Sequence, residues 1–316
     1  MVRELVVLGS ASQVPTRTRN HNGYFLRWDD EGVLFDPGEG TQRQMLLAGV
    51  PASAVTRICI THFHGDHCLG LPGVLQRMSL DSVTRPAAVS FPVSGAEYVD
   101  RLRHASVFDD RLDLRLQPVE VAPSDDGLVT VEEMQTWTLR AAALRHPVDT
   151  IGWRVEERPG RAMLPERLAV AGISGPDVGR LRRDGAVNAG GRRVTLDEMS
   201  VERPGQVVAF VMDTAWCEGA LALAEGADLL VCEATFASSE AGLAAARGHL
   251  TASDAGRLAA ESGARRLLLT HFSRRYQDVQ ALVEEAAAAF AGDVIAASDL
   301  LRVPVPPRRA SGDETR

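Results

Sequence analysis

Thr61-His-Phe-His-Gly-Asp-His-Cys-Leu-Gly-Leu-Pro-Gly73 follows the β-rich run 56–60 and sets three imidazoles and a carboxylate within six residues. His62 and His64 alternate, so in an extended segment both side chains point to one face. Gly65 permits a tight turn, across which Asp66 and His67 follow. Imidazole nitrogen and carboxylate oxygen are the ligands that zinc accepts at about 2 Å. The spacing lets His62 and His64 hold one ion while Asp66 and His67 face a second, which is the pattern of a two-metal hydrolase. Nothing structural calls for three histidines so close together beside Gly and Asp, so an incidental His-rich loop explains the stretch poorly.

The chain of 316 residues is long enough for one large domain or two small ones with a buried core. Hydrophobic residues make up 45% and charged residues 24%, proportions that fit a globular protein and exclude a disordered one. No apolar run approaches the roughly 18 residues needed to span a bilayer. A net charge of −8 does not mark a general nucleic-acid binder, so any grip on a polyanion needs a local basic element. All 34 basic residues are Arg, so every phosphate-binding cation here is a guanidinium. The four cysteines, Cys59, Cys68, Cys217 and Cys232, show no CxxC spacing and read as free thiols in a reducing compartment. Met1-Val-Arg-Glu-Leu5 reads as a strand start and not as a signal peptide. A cytoplasmic protein is expected.

Outward from the loop, 4–8 reads as a strand and 12–21 as a loop with Pro, two Arg and no acid. The apolar runs 23–28 and 32–35 flank Asp29-Asp30 as a hairpin. Thr41 is expected to cap a helix over 41–47, and another helix is expected over 69–78. Further strands are expected at 87–91, 112–116, 134–144, 151–155, 207–212, 229–233 and 266–270. Helices are expected at 96–103, 218–224, 252–261 and 279–291. Between 156 and 204 the pattern degrades into Gly, Pro and Arg, and 305–316 reads as a solvated tail. Strands first and mixed αβ units after them suggest two sheets packed face to face with helices outside. Metal-type residues fall at strand ends in both halves, as two similar αβ halves facing each other would place them.

Four ligands in the loop are too few for two ions. The ends of other strands offer His146, Asp213, His249 and His271, the last in Thr270-His-Phe, which echoes Thr61-His-Phe. One ion is assigned His62, His64, His146 and Asp213, and the other Asp66, His67, His271 and Asp213, with the Asp213 carboxylate bridging. Each ion keeps an open position for water. Such a pair suits phosphodiesters, thioesters, lactams or lactones alike. His21 and His104 lack this context and read as structural.

The motif His62-x-His64-x-Asp66-His67 resembles the metallo-β-lactamase superfamily. Longer strings narrow the resemblance to ribonuclease Z, the tRNA 3′-processing endonuclease, in its short form. They are Pro15-Thr-Arg-Thr-Arg-Asn20, Phe35-Asp-Pro-Gly-Glu-Gly-Thr-Gln-Arg-Gln44, the 61–73 loop itself, Glu233-Ala-Thr235, His249-Leu-Thr251 and Leu269-Thr-His-Phe-Ser-Arg-Arg-Tyr276. The resemblance implies an αββα sandwich over 1–316, a homodimer, two zinc ions or another divalent metal such as manganese, and precursor tRNA as substrate. It also implies a flexible tRNA-gripping arm, matched by 156–204 with Gly175-Pro176 at its tip. Nine Arg stand against five acids between Arg154 and Arg193, a local positive excess. Three positions depart from the family: Arg17 replaces a Lys, Cys232 a His before Glu233, and Leu250 a Ser after His249.

The implied reaction is metal-assisted hydrolysis of the phosphodiester 3′ of the discriminator base, leaving a 3′-OH. Asp66 would orient or deprotonate the attacking water, and His249, held by Glu233, would protonate the leaving oxygen. Arg17, Arg19 and Asn20 would contact RNA near the cut. Two rivals remain: a hydrolase of the same fold acting on a small phosphodiester, cyclic nucleotide or sulfate ester, and a catalytically silent RNA-binding protein.

Overall fold

Apolar runs spread over both halves of the chain pair into two mixed sheets of seven strands each. The computed structural model describes residues 3–121 and 127–309. In space the N-terminal sheet runs Arg302–Pro304, Arg3–Gly9, Gly23–Trp28, Glu31–Phe35, Arg57–Cys59, Ala87–Pro92, Leu114–Val119. The C-terminal sheet runs Asp293–Ala296, Arg266–Thr270, Leu229–Glu233, Val207–Val211, Ile151–Glu157, Trp137–Ala143, Val129–Glu133. Each sheet is antiparallel on one side and parallel on the other, so the two halves mirror one another as expected.

The period-2 rule explains how single strands serve two cores. Along Arg3–Gly9, Leu5 and Val7 point between the sheets, while Val6 and Leu8 point to the outer helices. Tyr24, Leu26 and Trp28 likewise face the other sheet, and Phe25 faces outward. A strand buried on both faces therefore reads as a continuous apolar run. Helices Thr41–Ala48, Leu71–Leu80 and Ala96–Arg103 lie on the N-terminal half, and Glu218–Ala224, Ala252–Glu261 and Gln280–Ala289 on the C-terminal half. The expected αββα sandwich is the observed one.

Several local expectations change. Thr41 is the first helical residue and not the cap; Gly40, at φ 83°, precedes it, and the Thr41 hydroxyl donates to the Gly38 carbonyl at 2.7 Å. Gly65 makes no left-handed turn but opens a short helix, Gly65–Cys68, ahead of Leu71–Leu80. The run 134–144 shortens to Trp137–Ala143 behind a turn at 134–136, the strand Val129–Glu133 before it was not expected, and the run 112–116 shifts to Leu114–Val119.

The segment 156–204 is regular, contrary to its sequence. A ladder of Gly160–Met163 with Ser200–Arg203 carries helices Pro165–Val170 and Pro176–Asp184, the hairpin Ala186–Ala189 with Arg192–Thr195, and helix Leu196–Met199. Leu168, Ile173, Leu181, Val194 and Met199 form a hydrophobic cluster of its own. Elements of four to nine residues are too short to show a period in the sequence. Arg154, counted with this segment, belongs to the body, where it donates to the carbonyls of Leu223 and Glu225.

The expected tail begins too early. Val305 and Pro306 are buried, and Arg308 pairs with Glu157 at 2.6 Å. The rest of the expected tail, 310–316, lies outside the described residues.

Candidate metal centre

The parallel strands of both sheets deliver their C-terminal ends to one cleft. Glu31–Phe35 ends at Asp36, Arg57–Cys59 leads to the 61–67 loop, and Val207–Val211 ends ahead of Asp213. Leu229–Glu233 ends on Glu233, and Arg266–Thr270 is followed by His271. Asp36, Asp213 and His271 all adopt positive φ, at 44°, 46° and 58°. Each non-glycine residue in that region is strained by about 1–2 kcal/mol, so packing elsewhere must hold the three turns. Backbone bridges knit the rim: Ile151 donates to the Thr61 carbonyl at 3.0 Å and Ala215 to that of Arg145 at 2.8 Å. The Asp-Pro-Gly and Leu-Gly-Leu-Pro-Gly strings also meet, since Gly70 donates to Pro37 at 2.8 Å. A Cβ on Gly70 would lie 1.9 Å from the Gly38 carbonyl oxygen, so only glycine allows this approach.

Two separate donor groups converge in the cleft. His62, His64, His146 and Asp213 form one, and Asp66, His67 and His271 the other; a third combination, Asp213 with His249 and His271, overlaps them, and within each the donor atoms lie within 4.8 Å of one another. Asp213 serves both: one oxygen lies 3.6 Å from His62 and 3.8 Å from His146, the other 3.5 Å from His67 and 3.1 Å from His271. The seven residues singled out in the sequence for metal are thus brought together.

The outer contacts set the histidine tautomers. His67 donates from Nδ1 to Asp36 at 2.8 Å, His146 to the Gly248 carbonyl at 3.0 Å, and His271 to the Thr235 hydroxyl at 2.7 Å. The Thr61 hydroxyl donates to Asp36, so it accepts from His62 Nδ1 at 3.0 Å. All four rings therefore turn Nε2 into the cleft. His64 instead turns its Nδ1 toward His62 Nε2, at 2.9 Å. Nε2 of His146, Nε2 of His271 and Oδ1 of Asp213 are buried with no hydrogen-bond partner. Buried polar atoms without partners are costly, and nitrogen and oxygen donors in this array suit borderline or hard divalent cations.

Charge in the cleft follows burial and mutual contact. Burial and then the neighbouring His67 push His62 well below the usual imidazole value. Burial also lowers His146. At His67 burial acts downward, but Asp213, Asp66 and Asp36 outweigh it and the net shift is strongly upward. Asp66 and Asp213 sit well below the carboxylate range, because facing imidazoles overcome their desolvation.

His249 stands beside these groups, its ring centroid 5.1 Å from that of His146 and 5.6 Å from that of His271. Its Nδ1 donates to Glu233 at 3.0 Å, and Glu233 also accepts from Thr214 N–H at 2.7 Å and the Thr235 hydroxyl at 2.5 Å. Desolvation works against charge on His249, yet Glu233 and then Asp213 push it up to about 9. Cys232, where the resemblance implies a His, points into the core with its thiol pushed far up by burial. Leu250 is buried in the core as well.

Not every expected contact residue faces the cleft. Arg19 donates to the carbonyls of Tyr276 and Gln277, at 2.8 and 3.1 Å, and Asn20 to those of Glu39 and His21. These side chains staple the 12–20 loop to its neighbours. Arg17 is exposed on that loop with no ion pair or hydrogen bond among the described residues. Gly175 precedes Pro176, which opens the helix Pro176–Asp184, and both are exposed on the inserted segment. Asp36 and Thr235, which orient the donors, and Arg247 and Arg274, which line the cleft, were not singled out in the sequence. Their signal lay in being next to the motifs: a carboxylate at a strand end, a hydroxyl two residues after Glu233, and arginines beside His249 and His271. The cleft has a volume of about 670 Å³.

The sequence model of the metallo-beta-lactamase superfamily matches residues 16–259. Ribonuclease Z of Salinispora arenicola (strain CNS-205) is 57% identical over 307 residues, covering 97% of each chain. Ribonuclease Z of Nocardia farcinica (strain IFM 10152) is 55% identical over 307 residues, 97% of this chain and 99% of that one. Among solved structures, human tRNase Z, short form, superposes with a TM-score of 0.70 at 25% identity, over 96% of this chain and 100% of that one.

Proposed function

The chain belongs to the ribonuclease Z family of the metallo-β-lactamase superfamily, and from that premise we propose how its cleft cuts RNA. It is a metal-dependent endoribonuclease that processes tRNA 3′ ends. The observation that carries the mechanism is the sharing of Asp213 between two donor groups beside a His249–Glu233 pair. His62, His64, His146 and Asp213 would hold one divalent cation, and Asp66, His67, His271 and Asp213 a second, zinc or manganese. Cations held there would acidify a water for attack on phosphorus and neutralise the charge growing on its oxygens.

The protein's own groups do the rest. Asp66 orients the attacking water. His249, fixed by Glu233 through Nδ1, donates a proton to the departing 3′-oxygen of the discriminator nucleotide. Its value of about 9 keeps it charged at neutral pH, and nearby cations would draw that value down toward the range where a proton donor works best. The tRNA is left with a 3′-hydroxyl and the trailer with a 5′-phosphate. Arg247 and Arg274, exposed in the cleft without ion pairs among the described residues, and Arg17 on the adjoining loop are suited to flanking phosphates. Arg19 and Asn20 shape that loop. The 156–204 arm, with Gly175 and Pro176 exposed on it, is assigned to grip the tRNA body.

A homodimer fits the apolar hollow of about 340 Å³ around Met45, Leu46, Val50 and Val74 on the outer helices, where Leu46 is 66% exposed. A cytoplasmic setting fits the four cysteines, all of them free. Among the described residues no helix is long and apolar enough to cross a membrane.

The decisive experiment incubates the metal-loaded protein with a 3′-extended precursor tRNA and maps the product end. The expected product ends in a 3′-hydroxyl at the discriminator base. Deleting 158–204 should cripple that reaction and spare bis(p-nitrophenyl) phosphate; equal loss on both substrates would remove the arm from tRNA binding. No hydrolysis of either substrate by the intact protein would favour a silent RNA binder.

A further inference from the structure

The arm leaves the body at one narrow root. Its two stalks continue the antiparallel pair Ile151–Glu157 with Val207–Val211, whose register closes at Glu156 opposite Val207. Beyond a short gap they pair again as Gly160–Met163 with Ser200–Arg203. The hydrophobic cluster of the arm is its own. The direction in which the arm projects is therefore decided at 157–159 and 204–206.

That gap is held by a polar node built from both ends of the chain. The Glu157 carboxylate accepts from Arg308 at 2.6 and 2.8 Å, from the Gln206 N–H at 3.1 Å, and pairs with Arg3 at 2.9 Å. Glu157 N–H in turn donates to the Gln206 carbonyl at 2.9 Å. The Gln206 side chain accepts from Arg3 at 2.9 Å and donates to the Pro306 carbonyl. Arg3 also pairs with Asp29 at 2.6 Å and lies 4.0 Å above the Trp28 ring. On the other stalk side, Arg158 donates to the Met134 carbonyl at 3.1 Å and pairs with Glu133 at 2.8 Å. Gly205 crosses so close to Glu157 that a Cβ would lie 1.9 Å from its carbonyl oxygen.

The partners come from different sheets. Glu157 lies in the C-terminal sheet and Gln206 immediately before one of its strands, while Arg3 and Trp28 lie in the N-terminal sheet and Pro306 and Arg308 follow its edge strand Arg302–Pro304. The cleft also takes its donors from both sheets. An arm rooted in one sheet alone would be oriented relative to half of the site. The node references it to both.

We infer that Glu157, clamped by Arg308 and Arg3, is a positioning residue that fixes the direction in which the arm leaves the body and so aligns bound precursor tRNA with the cutting groups. This rests on the assignment of the arm to tRNA binding. A side chain that lines no part of the cleft acts only on substrates large enough to touch the arm and the cleft together. Releasing the clamp widens the range of arm directions, and fewer encounters align the acceptor end.

The test compares Glu157→Gln and the milder Arg308→Gln with wild type, each metal-loaded. Both substitutions should raise KM for precursor tRNA by roughly fivefold while kcat at saturation, and hydrolysis of bis(p-nitrophenyl) phosphate, stay within about twofold. Amide hydrogen exchange should accelerate at 157–163 and 200–206 and stay unchanged around 61–67. An unchanged KM in both variants, while the 158–204 deletion is crippling, overturns the clamp and leaves arm binding intact. Parallel loss on both substrates also overturns it, because the node would then support the whole fold. If the deletion itself spares precursor cleavage, the arm assignment fails first and the clamp falls with it.

Discussion

Asp213 does two jobs with one side chain, and its neighbours explain how. Its oxygens divide between two sets of imidazoles, and the left-handed backbone at φ 46° turns it inward immediately after a buried strand. The histidines are aimed less by their own strands than by the groups behind them. Asp36 accepts from His67 Nδ1 directly and from the Thr61 hydroxyl, which in turn accepts from His62 Nδ1. Outer partners of this kind typically change metal affinity by about 10–100-fold when removed. Asp36→Ala should therefore weaken metal binding by roughly that factor, read by competition with a coloured chelator. Undiminished affinity would show that the rings are held by packing alone. The loop histidines were legible in the sequence because all lie within six residues of one another. Asp36 was not, because an Asp-Pro-Gly string reads first as a turn.

At the scale of elements, the helices that cover the two sheets lie nearly where the sequence puts them, even the seven-residue Glu218–Ala224, and the helices of the arm do not. Ala252–Glu261 and Gln280–Ala289 illustrate the first case. Their close crossing was invisible, since it depends on Gly256 lying against another helix. A Cβ there would come within 2.4 Å of the Ala286 carbonyl oxygen. Gly256→Ala gains up to about 1 kcal/mol in helix propensity but overpacks a crossing, at a cost of about 1–3 kcal/mol. The melting temperature should fall; a rise would mean that the helices part freely. The arm illustrates the second case. Its helix Leu196–Met199 is set by a local capping box between Thr195 and Glu198 and not by any period.

For the whole molecule, the joining of chain ends at Glu157 also predicts how acid unfolds it. Burial alone would raise the Glu157 value, but Arg308, Arg3 and the Gln206 amide bring it down to about 2. An unfolded glutamate titrates near 4.3. A depressed folded value contributes stability that is complete above the unfolded value and disappears as pH falls toward about 2. The urea midpoint should thus drop between pH 5 and 2 less steeply in Glu157→Gln than in wild type; identical slopes would place the acid sensitivity elsewhere. The sequence by itself determined the metal-binding chemistry, the family and where most strands lie along the chain, because ligand clusters and apolar periods are written in neighbouring residues. Only the tertiary structure decided which ring nitrogen faces the cleft, that Arg19 and Asn20 serve the loop, and that residues 305–309 are part of the body. Those outcomes turn on contacts between residues far apart in the chain, whose energies exist only once two sheets have met.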